Sequence, residues 1–285
     1  MAGYVFAALA GLLFGLQGAY GKVLARRIPP MLLAWGMFAF TTPVLAVLLL
    51  FDGIPTVDWY NFVWATGLSV LANLLAWSLF FRALQVSDLA HTMPFTALTP
   101  VFLIPVAYVL LDELPNAVGL AGILFIIAGA YGIHMSSGHL LDPFRMLFKN
   151  RGTRWMLMTA LVWSVSATVD KVAVLASSQM FYGFTLNLCL SLVYLPYLIR
   201  YQSKATLAVR DNWRGLFLLG LMTGLQMLAQ FTALKVLLVS YVIAFKRTGV
   251  IVSVVFGAAV LGERNVRWNL VCTALMIAGV FLLVQ

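Results

Sequence analysis

Residues 81–86 read FRALQV, and residues 231–236 read FTALKV. These hexapeptides lie 150 positions apart, and the agreement resumes further along without a gap. LLDEL (110–114) falls on VLGER (260–264), which sets Glu113 over Glu263, and IAG (127–129) falls on IAG (277–279). With an offset of 149, FGLQGAYGKV (14–23) falls on WSVSATVDKV (163–172), which sets Lys22 over Lys171. The chain therefore reads as one unit written twice.

Composition says what kind of unit. The 285 residues are 63% hydrophobic and 9% charged, with mean hydropathy +0.99. A soluble domain carries about 25% charged residues. The apolar excess runs the whole length, which predicts a membrane protein, with the lipid bilayer as its first partner. The N-terminal apolar run has no basic n-region and no small-residue cleavage context, so it reads as a span and not as a signal peptide. The net charge of +9 reads as topology-setting loop charge, and nucleic acid is not an expected partner. Cys189 and Cys272 sit in apolar runs as free thiols. His91, His134 and His139 make no ligand spacing with each other or with a cysteine, so neither a metal nor a cofactor is expected.

A spanning helix needs about 20 apolar residues. Ten such runs stand at 3–24, 31–51, 60–82, 89–111, 116–135, 154–176, 179–200, 214–234, 238–261 and 267–284. The longest connection, 136–153, divides a first five-helix repeat (1–135) from a second (154–285). Five is odd, so the second copy must enter the bilayer from the opposite side. The expected fold is an all-α membrane protein of ten transmembrane helices in two inverted repeats, a plan that places a substrate site near the midplane.

The cations fall on one side. Lys22, Arg26, Arg27, Arg82, Arg145, Lys149, Arg151, Arg154, Arg200, Lys204, Arg210, Arg214, Arg264 and Arg267 lie in or beside the odd-to-even connections, and the other connections hold only Lys235. The positive-inside rule then predicts a cytoplasmic 136–153 loop and both termini outside a cell (inner) membrane.

Ten spans in two copies, with the acid of LLDELP and VLGERN after the fourth and ninth spans and IAG in the fifth and tenth, resemble the EamA-type transporters of the drug/metabolite transporter superfamily. The resemblance covers nearly the whole chain. It implies a helix bundle around a central cavity that moves small metabolites. Members often have cytoplasmic termini; the charge asymmetry of this chain implies the reverse. YVIAFKRTGV (241–250) carries a narrower likeness, since Lys246 and Arg247 are similar in type and place to a Lys-Arg pair that grips substrate phosphate in triose-phosphate translocators.

Intramembrane charge is costly and marks pathways. Lys171, Lys246 and Arg247 stand within spans against one acid, Asp170. One reading has a substrate anion neutralising the surplus, with Asp170 holding a cation when the site is empty. The other pairs Asp170 with Arg247 and leaves both lysines to helix-end carbonyls. Polar faces at helical spacing add Gln226 and Gln230 with Thr223, and Asn73 and Trp77 with Ser69. Ser164 and Thr168 with Lys171, and Asn187 and Ser191 with Tyr194, make two more. Each such face serves either a cavity or helix–helix hydrogen bonding. Tyr241 lies on the approach to Lys246. Glu113 and Glu263 read as acids favouring the start of the helix that follows them, more readily than as proton carriers.

The function expected is a secondary transporter that moves a small organic metabolite, in particular an anionic or phosphorylated one, by alternating access. An amino-acid or other zwitterion exporter is the alternative. A non-transporting assembly factor or a lipid-modifying enzyme is the rival from another class. The enzyme lacks any carboxylate, His or Cys constellation.

Overall fold

The structure, a computed structural model, describes residues 1–25, 28–86, 93–133, 150–200, 202–249 and 266–285. The readings at His91, His134, His139 and Glu263, and at most of the 136–153 connection, lie outside the described residues.

Apolar runs without β-branched alternation fold as helices, because a helix satisfies its own backbone where no water can. Ten α-helices result among the described residues: α1 (Ala2–Ala25), α2 (Pro30–Asp52), α3 (Trp59–Val86), α4 (Thr99–Leu111), α5 (Ala117–Ile133), α6 (Arg151–Leu175), α7 (Gln179–Arg200), α8 (Gln202–Leu234), α9 (Val239–Arg247) and α10 (Val266–Val284). Five of them contain stretches long and apolar enough to cross a membrane: Met31–Asp52, Trp59–Phe80, Arg151–Leu175, Gln179–Arg200 and Ala208–Leu234.

Three helix starts differ from the sequence reading by three residues or more. The fourth run opens as a 3-10 helix over Met93–Leu98, because Pro94 and Pro100 each lack a donor there; the α-helix starts at Thr99 with Pro100 in its first turn. The eighth begins twelve residues earlier than expected and bends at Asn212 (φ −122°, ψ 16°). The sixth begins at Arg151, where the Asn150 side chain accepts from the Gly152 N–H at 2.8 Å, so the last residues of the expected connection are helical.

The packing repeats when the halves are exchanged. α3 lies along α6 as α8 lies along α1, and α4 meets α6 as α9 meets α1. α2 packs on α8 as α7 packs on α3, while α2–α7, α4–α9 and α5–α10 are self-paired. The α5–α10 seam shows the exchange atom by atom. A Cβ on Gly129 would stand 2.5 Å from the Cys272 carbonyl oxygen, and one on Gly279 would stand 2.6 Å from the Gly122 carbonyl oxygen. The 150-residue offset turns the first contact into the second. Glycine is required at both, and this accounts for IAG recurring. Contacts 129–272 and 122–279 also mean that α5 and α10 run antiparallel.

The core sits between α1–α4 and α6–α9. The kink-prone Pro43, Pro105 and Pro196 are inside α2, α4 and α7, each on an exposed face of its helix.

Candidate functional site

One cavity lies in this core. Every helix except α5 and α10 lines it. It contains roughly 710 Å³ of space between atoms, its open mouth included. Aromatic and thioether side chains make much of the wall: Phe14, Phe38, Trp77, Trp163, Phe231, Met37 and Met227. Half of the twenty lining residues are polar or charged, contributed by α1, α3, α4, α6, α8 and α9, so polar groups converge on an otherwise apolar cavity as in a small-molecule site.

α9 supplies the positive wall. Lys246 Nζ donates to Gln230 Oε1 at 2.8 Å and lies 4.6 Å from the ring centroid of Phe14. Gln226 Nε2 donates to the same Gln230 oxygen at 2.9 Å. Arg247 is 4% exposed; one terminal nitrogen donates to Thr99 Oγ1 at 3.1 Å. Its guanidinium carbon lies 5.8 Å from the Phe14 ring and 6.0 Å from the Trp163 ring. Ring faces attract cations, so these contacts offset part of the burial cost. Among the described residues the Arg247 Nε has no protein partner, and neither has the buried Gln17 Oε1 on the cavity wall. A buried donor left unmade is expensive.

Asp170 supplies the negative spot. It accepts from Ser69 Oγ at 2.5 Å and from Tyr182 OH at 2.5 Å, both at Oδ1. Asn73 Nδ2 donates to Ser69 Oγ at 3.1 Å and to Ser166 Oγ at 2.7 Å, which ties α3 to α6 beside the carboxylate. The expectation that Asp170 pairs with Arg247, or holds a cation in the empty site, is therefore corrected. Its partners are hydroxyls, and among the described residues no cation lies within ion-pair distance.

Seven of the nine sequence candidates line the cavity: Lys246, Arg247, Asp170, Gln226, Gln230, Asn73 and Trp77. Lys171 and Tyr241 do not. Consecutive residues of a helix diverge by about 100°, so with Asp170 facing the cavity Lys171 faces elsewhere. It forms an ion pair with Glu113 and donates to the Leu237 carbonyl at 2.7 Å. Tyr241 lies over Gly119, where a Cβ would be only 1.9 Å from the phenol oxygen, and its OH stands 3.4 Å from Asn116 Oδ1. Glu113 does not serve the helix that follows it: its Oε2 accepts from the Val239 N–H at 2.9 Å, capping α9 in the other half.

Two further polar faces do not line the cavity. Ser164 and Thr168 bond to their own backbone at Leu161 and Ser164, and α6 turns Trp163, Ser166 and Ala167 to the cavity instead. Asn187 donates to the Gly183 carbonyl of its own helix at 2.7 Å and to the Met227 sulfur of α8 at 3.3 Å, the helix–helix alternative; Ser191 bonds to Asn187 of its own helix, and the Tyr194 ring stacks on Phe38. Residues missed outright are Phe14, Gln17, Thr99 and Trp163. Gln17 is the one with a signal, being an amide in an otherwise apolar run.

The model of the EamA-like transporter family matches residues 1–135 and again 150–285. A solved crystal structure superposes with TM-score 0.80 over 100% of this chain and 99% of the other at 16% identity, a likeness of fold. A Synechocystis sp. protein named an uncharacterized transporter is 29% identical over 133 residues. That match takes in 43% of this chain and 39% of the relative, so the chain spans about two fifths of that protein's length. With two family matches on the two halves of a helical bundle that folds around a polar-lined cavity, the chain is a multi-pass membrane protein and belongs to the EamA-like transporter family.

Proposed function

We propose that the protein is a ten-span secondary carrier of the cell membrane that moves a small anionic metabolite by alternating access, with Lys246 and Arg247 as its anion-binding pair. The observation that carries this reading is the unbalanced cavity: a half-buried Lys246 and a buried Arg247 with, among the described residues, no carboxylate within ion-pair distance and no partner for the Arg247 Nε. An anion entering between them supplies the missing acceptor. Arg247 offers a planar fork and Lys246 a point charge, a combination suited to phosphate or carboxylate. The likeness to the Lys-Arg pair of triose-phosphate translocators supports a phosphorylated solute. In this reading all ten helices cross the bilayer, the antiparallel course of α5 and α10 reflects two inverted copies, and the cation-rich odd-to-even connections are cytoplasmic.

Asp170 favours a second reading. A carboxylate held only by hydroxyls in the same cavity suits the ammonium of a zwitterion whose acid group meets Lys246 and Arg247. A thermal-shift screen of purified protein against phosphorylated, carboxylate, zwitterionic and neutral metabolites separates the two, because a binder stabilises the fold by mass action. Stabilisation by neutral solutes alone would sink both.

A further inference from the structure

The end of the bundle away from the cavity is closed by one polar knot, and the cation-bearing helix starts in it. Glu113, between α4 and α5 of the first half, pairs through Oε1 with Lys171 of α6 and accepts through Oε2 from the Val239 N–H, the first of α9. Lys171 also donates to the Leu237 carbonyl, two residues before α9 begins. The two side chains are 14% and 9% exposed. Leu238 at the N-cap of α9 provides no side-chain cap of its own. The helix is thus capped from the other half, and its first turn carries an orphan donor without Glu113.

This knot lies where the α2–α3, α4–α5, α6–α7 and α8–α9 connections meet; the Asp58 N–H, before α3, donates to the Ala176 carbonyl, after α6, at 2.8 Å. Tyr241 over Gly119 and Asn116 seals the same end. Lys246 stands seven residues into α9, about 10 Å deeper. In this structure a solute between Lys246 and Asp170 has the knot between it and that face.

We propose that Glu113 and Lys171 form the latch closing this face of the cavity, and that opening it releases the N-terminus of α9 and so repositions Lys246 and Arg247. The pair is suited to the task. It joins the two halves, it is mostly buried, and every bond in it crosses between separate segments and not along one helix. Separation lets water reach all four groups, so opening costs little beyond the ion pair itself. The inference rests on the carrier reading, since only alternating access requires this face to open. It adds Glu113, and gives Lys171 a positioning role in place of contact with the solute.

The test needs no solute. With Cys189 and Cys272 replaced by Ala, the full chain carries one reporter, Ala167→Cys on the cavity wall. Its labelling rate by a membrane-impermeant maleimide is measured from both faces, in intact cells and in inverted vesicles. The face of interest is the one that labels Val236→Cys. Glu113→Gln keeps the volume and an acceptor for Val239 but loses the ion pair; Lys171→Met loses the charge. Each is expected to raise labelling from the Val236 face at least about tenfold, the shift that roughly 1.4 kcal/mol of lost closing energy gives, with no rise from the opposite face. Glu113→Asp, which keeps the charge on a shorter arm, is expected to give an intermediate rate and serves if the others fail to fold. Unchanged rates from that face, or equal rises from both, overturn the latch. Gated labelling without stabilisation by any solute would leave the latch standing and remove the solute reading instead.

Discussion

Lys246→Gln and Arg247→Gln, made side by side, separate an anion-binding pair from a structural clamp. Among the described residues neither cation has a carboxylate within ion-pair distance, so removing one leaves no opposite charge stranded there. Lys246→Gln gives up the bond to Gln230 Oε1, which still accepts from Gln226. Arg247→Gln gives up the bond to Thr99 and removes the unpartnered Nε. Each loss of a bond from a charged donor, about 1.5–3 kcal/mol, and of the contacts with the Phe14 and Trp163 rings, is offset by relief from burying a charge. Melting temperatures are therefore expected to hold or rise. Binding is expected to behave otherwise. One charge-assisted contact to a substrate anion contributes about 1.5–3 kcal/mol, so each variant should bind about ten- to a hundred-fold more weakly. Arg247→Lys should recover part of that, because it restores charge without the fork. The assay is titration of the best-stabilising anion by thermal shift, with melting curves recorded in its absence. Variants that melt early yet bind at parental affinity would refute the reasoning.

Other expectations follow from the same geometry. Asp170→Asn keeps acceptors for Ser69 and Tyr182 and removes the negative charge facing the cations, so anion affinity should increase, while a zwitterion should bind more weakly; titrating one of each checks the sign. Gly129→Ala and Gly279→Ala press a methyl onto equivalent carbonyls and should each cost about 1–3 kcal/mol. Melting that shifts for one and not the other would break the symmetry assigned to the α5–α10 seam. Val236→Cys should label in intact cells with an impermeant reagent and Gly138→Cys should not; the opposite pattern reverses the proposed orientation.

The helices were legible because the bilayer leaves so little choice: an apolar run of span length has one conformation that satisfies its backbone. The repeat was legible at IAG because a carbonyl pressed against a glycine tolerates no other residue. Most of the polar cavity wall was legible too, since Lys246, Arg247, Asp170, Gln226, Gln230 and Asn73 each break an apolar run. What sequence could not supply was pairing between the halves. Glu113 meets a lysine 58 positions away and caps a helix whose start is more than a hundred residues downstream. Spacing along one helix says nothing about such a bond. Helical phase was the other gap: Ser164 and Ser166 have the same chemistry, and only packing decides that Ser166 faces Asn73. Phe14 and Trp163 were invisible among so many aromatics.

The cations occupy one half only. By the 150-residue offset, Phe245 corresponds to Phe95, an identity, but Lys246 and Arg247 correspond to Thr96 and Ala97. If two inverted copies exchange shapes to turn a carrier around, identical copies would make its two end states equal in energy, like a see-saw with equal riders. Here the riders differ. In the proposed carrier, a solute held by α9 would travel with the second copy and sit off the axis, and the empty carrier would have to hide two unshared charges in whichever shape α9 takes. The resting population would then be weighted toward one face before any gradient acts. Grafting Thr96→Lys with Ala97→Arg onto a Lys246→Thr, Arg247→Ala background would invert that weighting while leaving the bundle's plan unchanged.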